Sequence, residues 1–337
     1  MPDICVLVLG GDPPPNLDRL AGRARVLRTD GRALAGRLPD ADVLLVWDFT
    51  SDALQSAWPG PGRRPAWVHT ASAGVDRLLS CPELVASDTV ITNARGVFDQ
   101  PIAEYVAGLV LAMAKDFHGT WDAQRQRSWR HRETVRLAGT RAVVVGSGPI
   151  GRAIGHTLGA LGVEVELVGR RERPDDPEFG RVHAGTALDG LLPAADWVVC
   201  AAPLTEETAG MFDAAAFARM KPEARFINVG RGRQVVQDDL VEALTARRIA
   251  GAALDVFADE PLPAGSPLWR VPGLLVSPHM SGDTFGWRDD LAGQFCDNFD
   301  RWAAGEPLFN VVDKRLGYVP HPPGLGARRT AAPRPGS

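Results

Sequence analysis

The chain has 337 residues, of which 45% are hydrophobic and 23% charged, and its formal net charge is −4. This length predicts two domains, and the composition is that of an ordinary globular protein. The acidic balance argues against a nucleic-acid partner, no apolar run reaches the roughly 20 residues of a membrane span, and residues 1–10 lack the pattern of a signal peptide. We therefore expect a cytoplasmic protein that binds neither nucleic acid nor membrane.

The first third of the chain alternates short apolar runs with polar stretches of helical spacing. The predicted strands are residues 4–9, 43–47, 66–70 and 89–92. Such alternation predicts a mostly parallel sheet with helices on both faces. Residues 101–117 then form one long predicted helix with a broad apolar face, which we expect both to cross between domains and to pack against another subunit.

A second alternation begins at Arg141 and is typical of a Rossmann-type domain. Its predicted strands are residues 142–145, 163–168, 197–201, 224–229, 251–256 and 274–277. Another helical stretch follows residue 283 and runs through residue 302. Residues 321–337 are rich in Pro, Gly, Arg and Ala, which predicts a disordered tail.

Four cysteines, Cys5, Cys81, Cys200 and Cys296, stand far apart and form no CxxC pair. This spacing is too sparse for a disulfide framework or a structural zinc site, so we expect no metal. Cys5 and Cys200 fall in apolar strand-like runs and are expected to be buried thiols.

The sequence Gly146-Ser147-Gly148-Pro149-Ile150-Gly151 follows a predicted strand and opens an amphipathic helix (149–161), as a GxGxxG dinucleotide site requires. Gly146 permits the tight turn, Gly148 lets the backbone approach a pyrophosphate, and Gly151 lets the helix pack on the sheet. The helix N-terminus then offers N–H groups and a positive dipole end to the phosphates.

The residues after the next strand indicate which dinucleotide is preferred. An NAD site places an acidic residue there to bond the ribose 2′-hydroxyl. Here Val168 is followed by Gly169, Arg170 and Arg171, which replace a carboxylate with two guanidinium groups suited to a phosphate. We therefore predict NADPH as the preferred cofactor, with NADH as the alternative; Glu172 is the one nearby acid against this preference.

Two further strand ends carry residues that can take part in catalysis. Arg231 follows the strand at 224–229, between Gly230 and Gly232, where it can clamp a carboxylate and polarise a carbonyl. His279 directly follows an apolar strand, and Glu260 lies beyond the end of the preceding strand. A carboxylate bonded to one imidazole nitrogen stabilises the imidazolium, so the other nitrogen can donate a proton near neutral pH.

As a set, these motifs resemble those of the D-isomer-specific 2-hydroxyacid dehydrogenase family, from about residue 66 to residue 316. The stretches that match are Ser72–Asp76, Ala103-Glu104, Gly146–Gly151, Ala202–Thr205, Asn228–Gly232, Asp255 with Glu260-Pro261, and Ser277–His279. The family's NAD-type acidic position falls on Gly169, in agreement with NADPH.

The resemblance implies an α/β fold of two Rossmann-like, doubly wound parallel-sheet domains. A cofactor domain (101–284) would be inserted into a discontinuous, flavodoxin-like substrate domain (1–100 and 285–320). Members are usually homodimers joined through the cofactor domain. The implied reaction is the reversible reduction of a small 2-keto acid to the D-2-hydroxy acid.

The resemblance also implies the roles of individual residues. Arg231, Glu260 and His279 would be catalytic, with His279 as the proton donor and Glu260 orienting it. Backbone N–H groups of Ala73, Gly74 and Val75 would hold the substrate carboxylate beside Arg231, and Trp287 is predicted to add an aromatic wall to the substrate pocket. The complete set of predicted cofactor-binding residues is Gly146, Gly148, Pro149, Ile150, Gly151, Arg170, Arg171, Ala202, Pro203, Thr208, Val229, Gly230, Asp255, His279 and Ser281.

Other functions stay open at this point. A related dehydrogenase of the phosphite or phosphoglycerate type fits the same residues, whereas the acid at Glu260 argues against a formate enzyme. A dinucleotide sensor without catalysis would keep the fold but has no use for an acid–base pair. The sequence does not name the keto acid or the physiological direction of the reaction.

Overall fold

The computed structural model describes residues 4–58 and 62–320, so the predicted disordered tail (321–337) lies outside the described residues. The first sheet has five parallel strands in the order β2-β1-β3-β4-β5. They are β1 (Cys5–Leu9), β2 (Arg25–Thr29), β3 (Val43–Val46), β4 (Trp67–Thr70) and β5 (Val90–Asn93). This is the flavodoxin-like strand order that was expected.

Short helices connect these strands and cover the faces of the sheet. They are α1 (Leu34–Arg37), α2 (Ala53–Ala57), α3 (Asp76–Leu79) and α4 (Pro82–Ala86), with 3₁₀ turns at Leu17–Leu20 and Leu38–Asp40. The strand β2 was not predicted. It lies at the edge of the sheet and carries exposed Arg25 and Arg28, so it lacks the apolar run by which a buried parallel strand is recognised.

The second sheet has eight strands in the order β13-β12-β11-β10-β6-β7-β9-β8. They are β6 (Arg141–Val145), β7 (Glu164–Gly169), β8 (Arg173–Asp176), β9 (Gly180–Ala184), β10 (Trp197–Cys200), β11 (Arg225–Asn228), β12 (Gly251–Leu254) and β13 (Leu274–Val276). All neighbouring strands pair in parallel except β8 and β9, an antiparallel hairpin that the sequence did not predict. The six predicted strands are present, and the α/β fold class of two parallel-dominated sheets is confirmed.

The helices of the second half lie on both faces of this sheet or run between the two sheets. They are α5 (Asp99–Ala114), α6 (Phe117–Arg125), α7 (Pro149–Ala160), α8 (Leu188–Leu191), α9 (Ala214–Arg219), α10 (Gln237–Thr245) and α11 (Trp287–Ala303). Further 3₁₀ turns span Gly185–Ala187, Leu192–Ala194, Gly232–Gln234 and Pro267–Arg270. None of the helices among the described residues is long and apolar enough to cross a membrane.

The long helix predicted at 101–117 is present as α5, which ends at Ala114, and a separate helix, α6, begins at Phe117. The chain breaks after α5 because Asp116 adopts a left-handed conformation (φ 47°), and its carboxylate accepts the Gly119 N–H to begin α6. The apolar face of α5 packs on α7, and one continuous apolar core joins residues of the first sheet, α5 and the second sheet. The helix therefore runs between the two sheets, as expected; its packing against another subunit stays a prediction.

After the second sheet the chain returns to the first. Phe295 in α11 stacks on Trp67 of β4 at 5.3 Å between ring centroids, and Val311 pairs with Thr92 at the end of β5. The four cysteines are buried free thiols, as was expected for Cys5 and Cys200.

Candidate active site

The glycine turn between β6 and α7 is shaped by close backbone contacts. Gly146 has φ 122°, and a Cβ there would lie 2.6 Å from the carbonyl oxygen of Ala201, at the end of β10. A Cβ on Gly151 would lie 1.6 Å from the carbonyl oxygen of Gly146, whereas one on Gly148 would meet nothing within 4 Å. The turn is thus closed on the protein side and open at Gly148, which fits the approach of a pyrophosphate to the start of α7, where Pro149 and Ile150 form the first turn.

The loop after β10 faces this turn across the point where the strand order reverses, between β6 and β10. Side-chain amide Nε2 of the buried Gln234 donates to the carbonyl oxygens of Ala202 (3.1 Å) and Pro203 (3.3 Å). The Thr208 hydroxyl donates to the Pro203 carbonyl at 2.8 Å and accepts the Thr205 N–H. Thr208, a predicted cofactor contact, therefore serves to fix its own loop in this structure.

The end of β7 has no carboxylate directed toward the glycine turn. Gly169 is buried, and a Cβ there would lie 2.4 Å from Oγ of Ser147. Glu172 is engaged with Arg181, at 2.7 Å. Arg170 is exposed and its Nη2 donates to Glu207 at 3.1 Å, while Arg171 is also exposed. The acid that argued against NADPH is thus neutralised by another arginine.

Arg231 is held rigidly at the end of β11. Its N–H donates to Oε1 of Gln234 at 2.7 Å, and its Nη1 donates to the Gly230 carbonyl at 2.8 Å. Val229 and Gly230 are buried beside it. A Cβ on Gly232 would lie 1.8 Å from the Phe257 carbonyl carbon. The glycine after Arg231 therefore allows close packing against the loop after β12, and this packing fixes the direction of the arginine.

The guanidinium of Arg231 reaches across to the first sheet. Its Nε donates to Oδ1 of Asp76 at 2.9 Å, and a Cβ on Gly74 would lie only 1.5 Å from Nη2. The structure thus brings Arg231 against the turn 73–75, as the resemblance implies. The Ala73 carbonyl accepts from Asn93 Nδ2 at 2.6 Å, and the Gly74 N–H donates to the Ser72 hydroxyl at 3.2 Å.

Asp76 was part of a matched motif, but its bond to Arg231 was not predicted. The contact joins residues 155 positions apart, so no local pattern could reveal it. Gln234, which holds both Arg231 and the loop after β10, was missed for the same reason.

Glu260 and His279 form the expected pair. Oε2 of Glu260 lies 2.8 Å from Nδ1 of His279, and its Oε1 accepts the Phe257 N–H at 2.8 Å. Burial raises the pKa of Glu260, but the bond and charge of His279 together with the Phe257 N–H outweigh this effect, so the pKa lies below its usual value. The carboxylate is therefore ionised near neutral pH, which makes Nδ1 the donor and leaves Nε2 as the second ring nitrogen.

His279 adopts an unusual backbone conformation, with φ 52°. A buried carboxylate beneath the loop stabilises it: Oδ1 of Asp255 accepts from the Ser277 hydroxyl (2.7 Å) and the Met280 N–H (3.0 Å), and Oδ2 accepts the Ser281 N–H (2.9 Å). Asp255 has no exposed surface and Ser281 is also buried. These bonds place Asp255 and Ser281 beneath the His279 loop, and their role as cofactor contacts stays a prediction.

Trp287, predicted to line the substrate pocket, begins α11. Its ring lies 6.2 Å from that of Phe98, and Phe98 in turn packs against Gly282, where a Cβ would lie 2.6 Å from the Phe98 ring. Trp287 thus lies next to the His279 loop through Phe98, and it lines a cavity at the carboxyl edge of the first sheet; its role as a wall of the substrate pocket stays a prediction.

Comparison with known proteins agrees with this arrangement. The family model described as "D-isomer specific 2-hydroxyacid dehydrogenase, NAD binding domain" matches residues 107–281. The glyoxylate/hydroxypyruvate reductase A of Serratia proteamaculans (strain 568) is 30% identical over 286 residues, which cover 82% of this chain and 88% of that protein.

Two solved structures of similar chains contain nicotinamide cofactors. The NADPH-dependent glyoxylate/hydroxypyruvate reductase of Sinorhizobium meliloti, in complex with NADP and sulfate, has a TM-score of 0.80 at 28% identity and covers 94% of this chain and 100% of its own. A D-isomer specific 2-hydroxyacid dehydrogenase of Xanthobacter autotrophicus Py2, in complex with NADPH and MES, has a TM-score of 0.78 at 32% identity and covers 93% of this chain and 100% of its own.

Proposed function

The chain belongs to the D-isomer-specific 2-hydroxyacid dehydrogenase family, and from this we propose that it reduces a small 2-keto acid to the D-2-hydroxy acid with NADPH. The observation that carries the proposal is the meeting of three groups at one cleft: the Glu260–His279 pair, the Arg231 guanidinium, and the turn 73–75. The pair supplies a proton donor, and the guanidinium and the turn 73–75 supply a carboxylate clamp; together with the dinucleotide turn 146–151, these are the parts that ketone reduction requires.

His279 is the proposed proton donor. Because the ionised Glu260 accepts the hydrogen bond of Nδ1–H, the tautomer and the orientation of the imidazole are fixed. Nε2–H then delivers the proton to the carbonyl oxygen as this oxygen gains negative charge. Asp255 is a positioning residue in this scheme, since its three hydrogen bonds fix the loop that presents His279.

Arg231 is the proposed clamp for the substrate carboxylate and the polarising group for the carbonyl. Asp76 occupies its Nε, and the Gly230 carbonyl occupies Nη1, so both bonds set the plane of the guanidinium. Nη2 faces the turn 73–75, where it and the turn's backbone N–H groups would share the carboxylate oxygens. Ala73, Gly74 and Val75 belong to the unit of the first sheet, so the site is complete only where the two units meet.

The cofactor is a nicotinamide dinucleotide, which supplies the hydride when bound. The residues proposed to hold it are the turn 146–151 at the start of α7 and the loop at Ala202-Pro203, with Val229 and Gly230 beside them. Arg170 and Arg171 would bind the 2′-phosphate of NADPH, since Gly169 leaves no carboxylate to repel it and Glu172 is paired with Arg181.

The proposal includes the domain division implied by the family. The contacts of α11 with β4 support a substrate unit made of residues 1–100 and 285–320 around a cofactor unit of residues 101–284. It also includes a homodimer joined through the cofactor unit; the exposed rings of Phe117 and Trp121 on α6 support such an interface.

The test is the oxidation of NADPH and NADH, followed at the nicotinamide absorbance band, with a panel of 2-keto acids. His279→Ala is expected to lower kcat by about 10²- to 10⁴-fold, and Arg231→Ala to raise KM as well as lower kcat. His118→Ala, at an exposed histidine on α6, is the matched control and should keep the wild-type constants. Wild-type kcat in either test variant would refute the role assigned to that residue, and faster turnover with NADH would refute the cofactor preference alone.

A further inference from the structure

A cavity of about 440 Å³ lies at the carboxyl edge of the first sheet. Its floor is formed by residues that directly follow three neighbouring strands: Gly11 after β1, Trp47 and Phe49 after β3, and Ala71 after β4. Trp287 and Arg288 from the start of α11 close the opposite side. Three aromatic rings therefore line one cavity.

The topology places this cavity where open α/β sheets bind ligands. The strand order β2-β1-β3-β4-β5 reverses between β1 and β3, and the loops after these two strands form most of the floor. In sheets of this order, the crevice outside the carboxyl ends at the reversal is the general ligand site.

The cavity also adjoins the proposed catalytic groups from two directions. Ala71 lies three residues before Gly74, a separation that spans at most about 11 Å, and Gly74 contacts the Arg231 guanidinium. On the other side, the Trp287 ring lies 6.2 Å from Phe98, which packs on Gly282 in the His279 loop. A keto acid held at the turn 73–75 would thus have this cavity within reach of its remaining substituent.

From its size and lining we infer that the cavity receives a bulky aromatic or branched substituent on the keto carbon, so that the enzyme prefers arylpyruvates and similar 2-keto acids over glyoxylate. This inference rests on the proposed function. A cavity of roughly 150 Å³ suffices for benzene, so 440 Å³ admits a phenyl ring, whereas a hydrogen or hydroxymethyl group leaves most of it unfilled. The half-buried rings of Phe49 and Trp287 are available for packing against a phenyl ring, while the buried Trp47 ring lies under Arg288.

The charged residues of the lining favour an uncharged substituent. The Arg288 guanidinium lies over the Trp47 ring at 5.5 Å, and its Nη1 is 3.7 Å from Oδ2 of Asp12. Asp48 adds a second acid to the rim. Asp12 and Asp48 together outweigh the positive charge of Arg288, so the cavity does not favour a substrate that carries a second carboxylate.

Gly11 allows a test that does not disturb the aromatic rings. A Cβ on Gly11 would meet nothing within 4 Å, and its backbone lies outside the left-handed region, so Gly11→Phe adds a phenyl ring to the lining of the cavity without a clash at the Cβ. Gly36→Phe, at an equally open glycine on α1 outside the lining, is the matched control.

The measurement is kcat/KM with NADPH for phenylpyruvate, 4-methyl-2-oxopentanoate, oxaloacetate and glyoxylate. We expect the wild type to favour phenylpyruvate over glyoxylate at least about tenfold, Gly11→Phe to lower that ratio at least about tenfold, and Gly36→Phe to leave it unchanged. A wild-type ratio below one, equal ratios in the two variants, or a preference for oxaloacetate would each overturn the inference. Turnover of glyoxylate alone leaves the proposed function standing, whereas no NADPH oxidation with any keto acid refutes the proposed function itself.

Discussion

Adding one methyl group at Gly74 tests how the two units of the protein share the carboxylate clamp. In Gly74→Ala the new Cβ would stand 1.5 Å from Nη2 and 2.6 Å from Cζ of Arg231. The backbone of Gly74 lies outside the left-handed region, so alanine suffers no conformational strain there. The substitution therefore acts by displacing the Arg231 guanidinium.

The structure gives the size of that displacement. Non-bonded heavy atoms pack best at about 3.5–4.0 Å, so the guanidinium must retreat by about 2 Å from the turn. Because a misplacement of about 1 Å at a reacting centre can lower a rate by 100-fold, we expect kcat/KM for the best keto acid to fall at least about 100-fold. This loss corresponds to about 2.7 kcal/mol of transition-state stabilisation. Steady-state NADPH oxidation measures it directly.

Two comparisons separate this reason from a loss of folding. Gly108→Ala, in the middle of α5 with nothing within 4 Å of the new Cβ, should keep wild-type kcat/KM and gain about 0.5–1 kcal/mol of stability. If Gly74 matters because it makes room for Arg231, then adding Gly74→Ala to the Arg231→Ala variant should lower kcat/KM by less than about a further threefold. A Gly74→Ala enzyme within threefold of wild type, or a full additional loss in the Arg231→Ala background, would refute the reasoning.

Two further predictions concern the end of β7 and the hairpin that follows it. Gly169→Asp should lower kcat/KM for NADPH at least about tenfold without raising kcat/KM for NADH, because the new Cβ would lie 2.4 Å from Oγ of Ser147. Adding Ser147→Gly removes this clash and should raise kcat/KM for NADH. A rise for NADH in Gly169→Asp alone would contradict this reasoning. Asp176→Asn should lower the free energy of unfolding by about 3 kcal/mol at pH 7, because the Arg152 side chain, which is only 14% exposed, loses its main anionic partner. The Arg152 guanidinium holds the pKa of Asp176 well below its usual value of about 3.9, so this stabilisation is present above about pH 4 and is lost as the pH falls further. Urea denaturation between about pH 2 and pH 7 should therefore show the two proteins converging at the acidic end, and a constant difference would contradict the assignment.

The sequence predicted the parts of the site that depend on strand ends. Parallel strands bring their carboxyl ends to one edge, so residues directly after apolar strands were expected to meet there. The expected pairing of Glu260 with His279 and the approach of Arg231 to the turn 73–75 are both present. Six of the eight strands of the second sheet were apolar enough to be recognised from the sequence.

What the sequence did not predict depends on contacts between distant segments. Asp76 and Gln234 orient Arg231 through hydrogen bonds that no local spacing encodes. The strands β2 and β8 lie at sheet edges and β9 lies next to β8, and the exposed side chains of all three conceal the apolar run of a buried strand. The hydrogen bonds by which the buried Asp255 holds the loop Ser277–Ser281 were likewise not visible in the sequence, because they join residues more than 20 positions apart.

The cationic groups of the site are each paired with a carboxylate and are not gathered into a basic surface. Arg231 is paired with Asp76, and His279 with Glu260. Each carboxylate engages one nitrogen of its partner, Nε of Arg231 and Nδ1 of His279, and so sets the direction of the remaining nitrogens. Under the proposed function, Nη2 of Arg231 and Nε2 of His279 are the groups left to meet the substrate, so the acidic partners orient the site without occupying its reactive atoms.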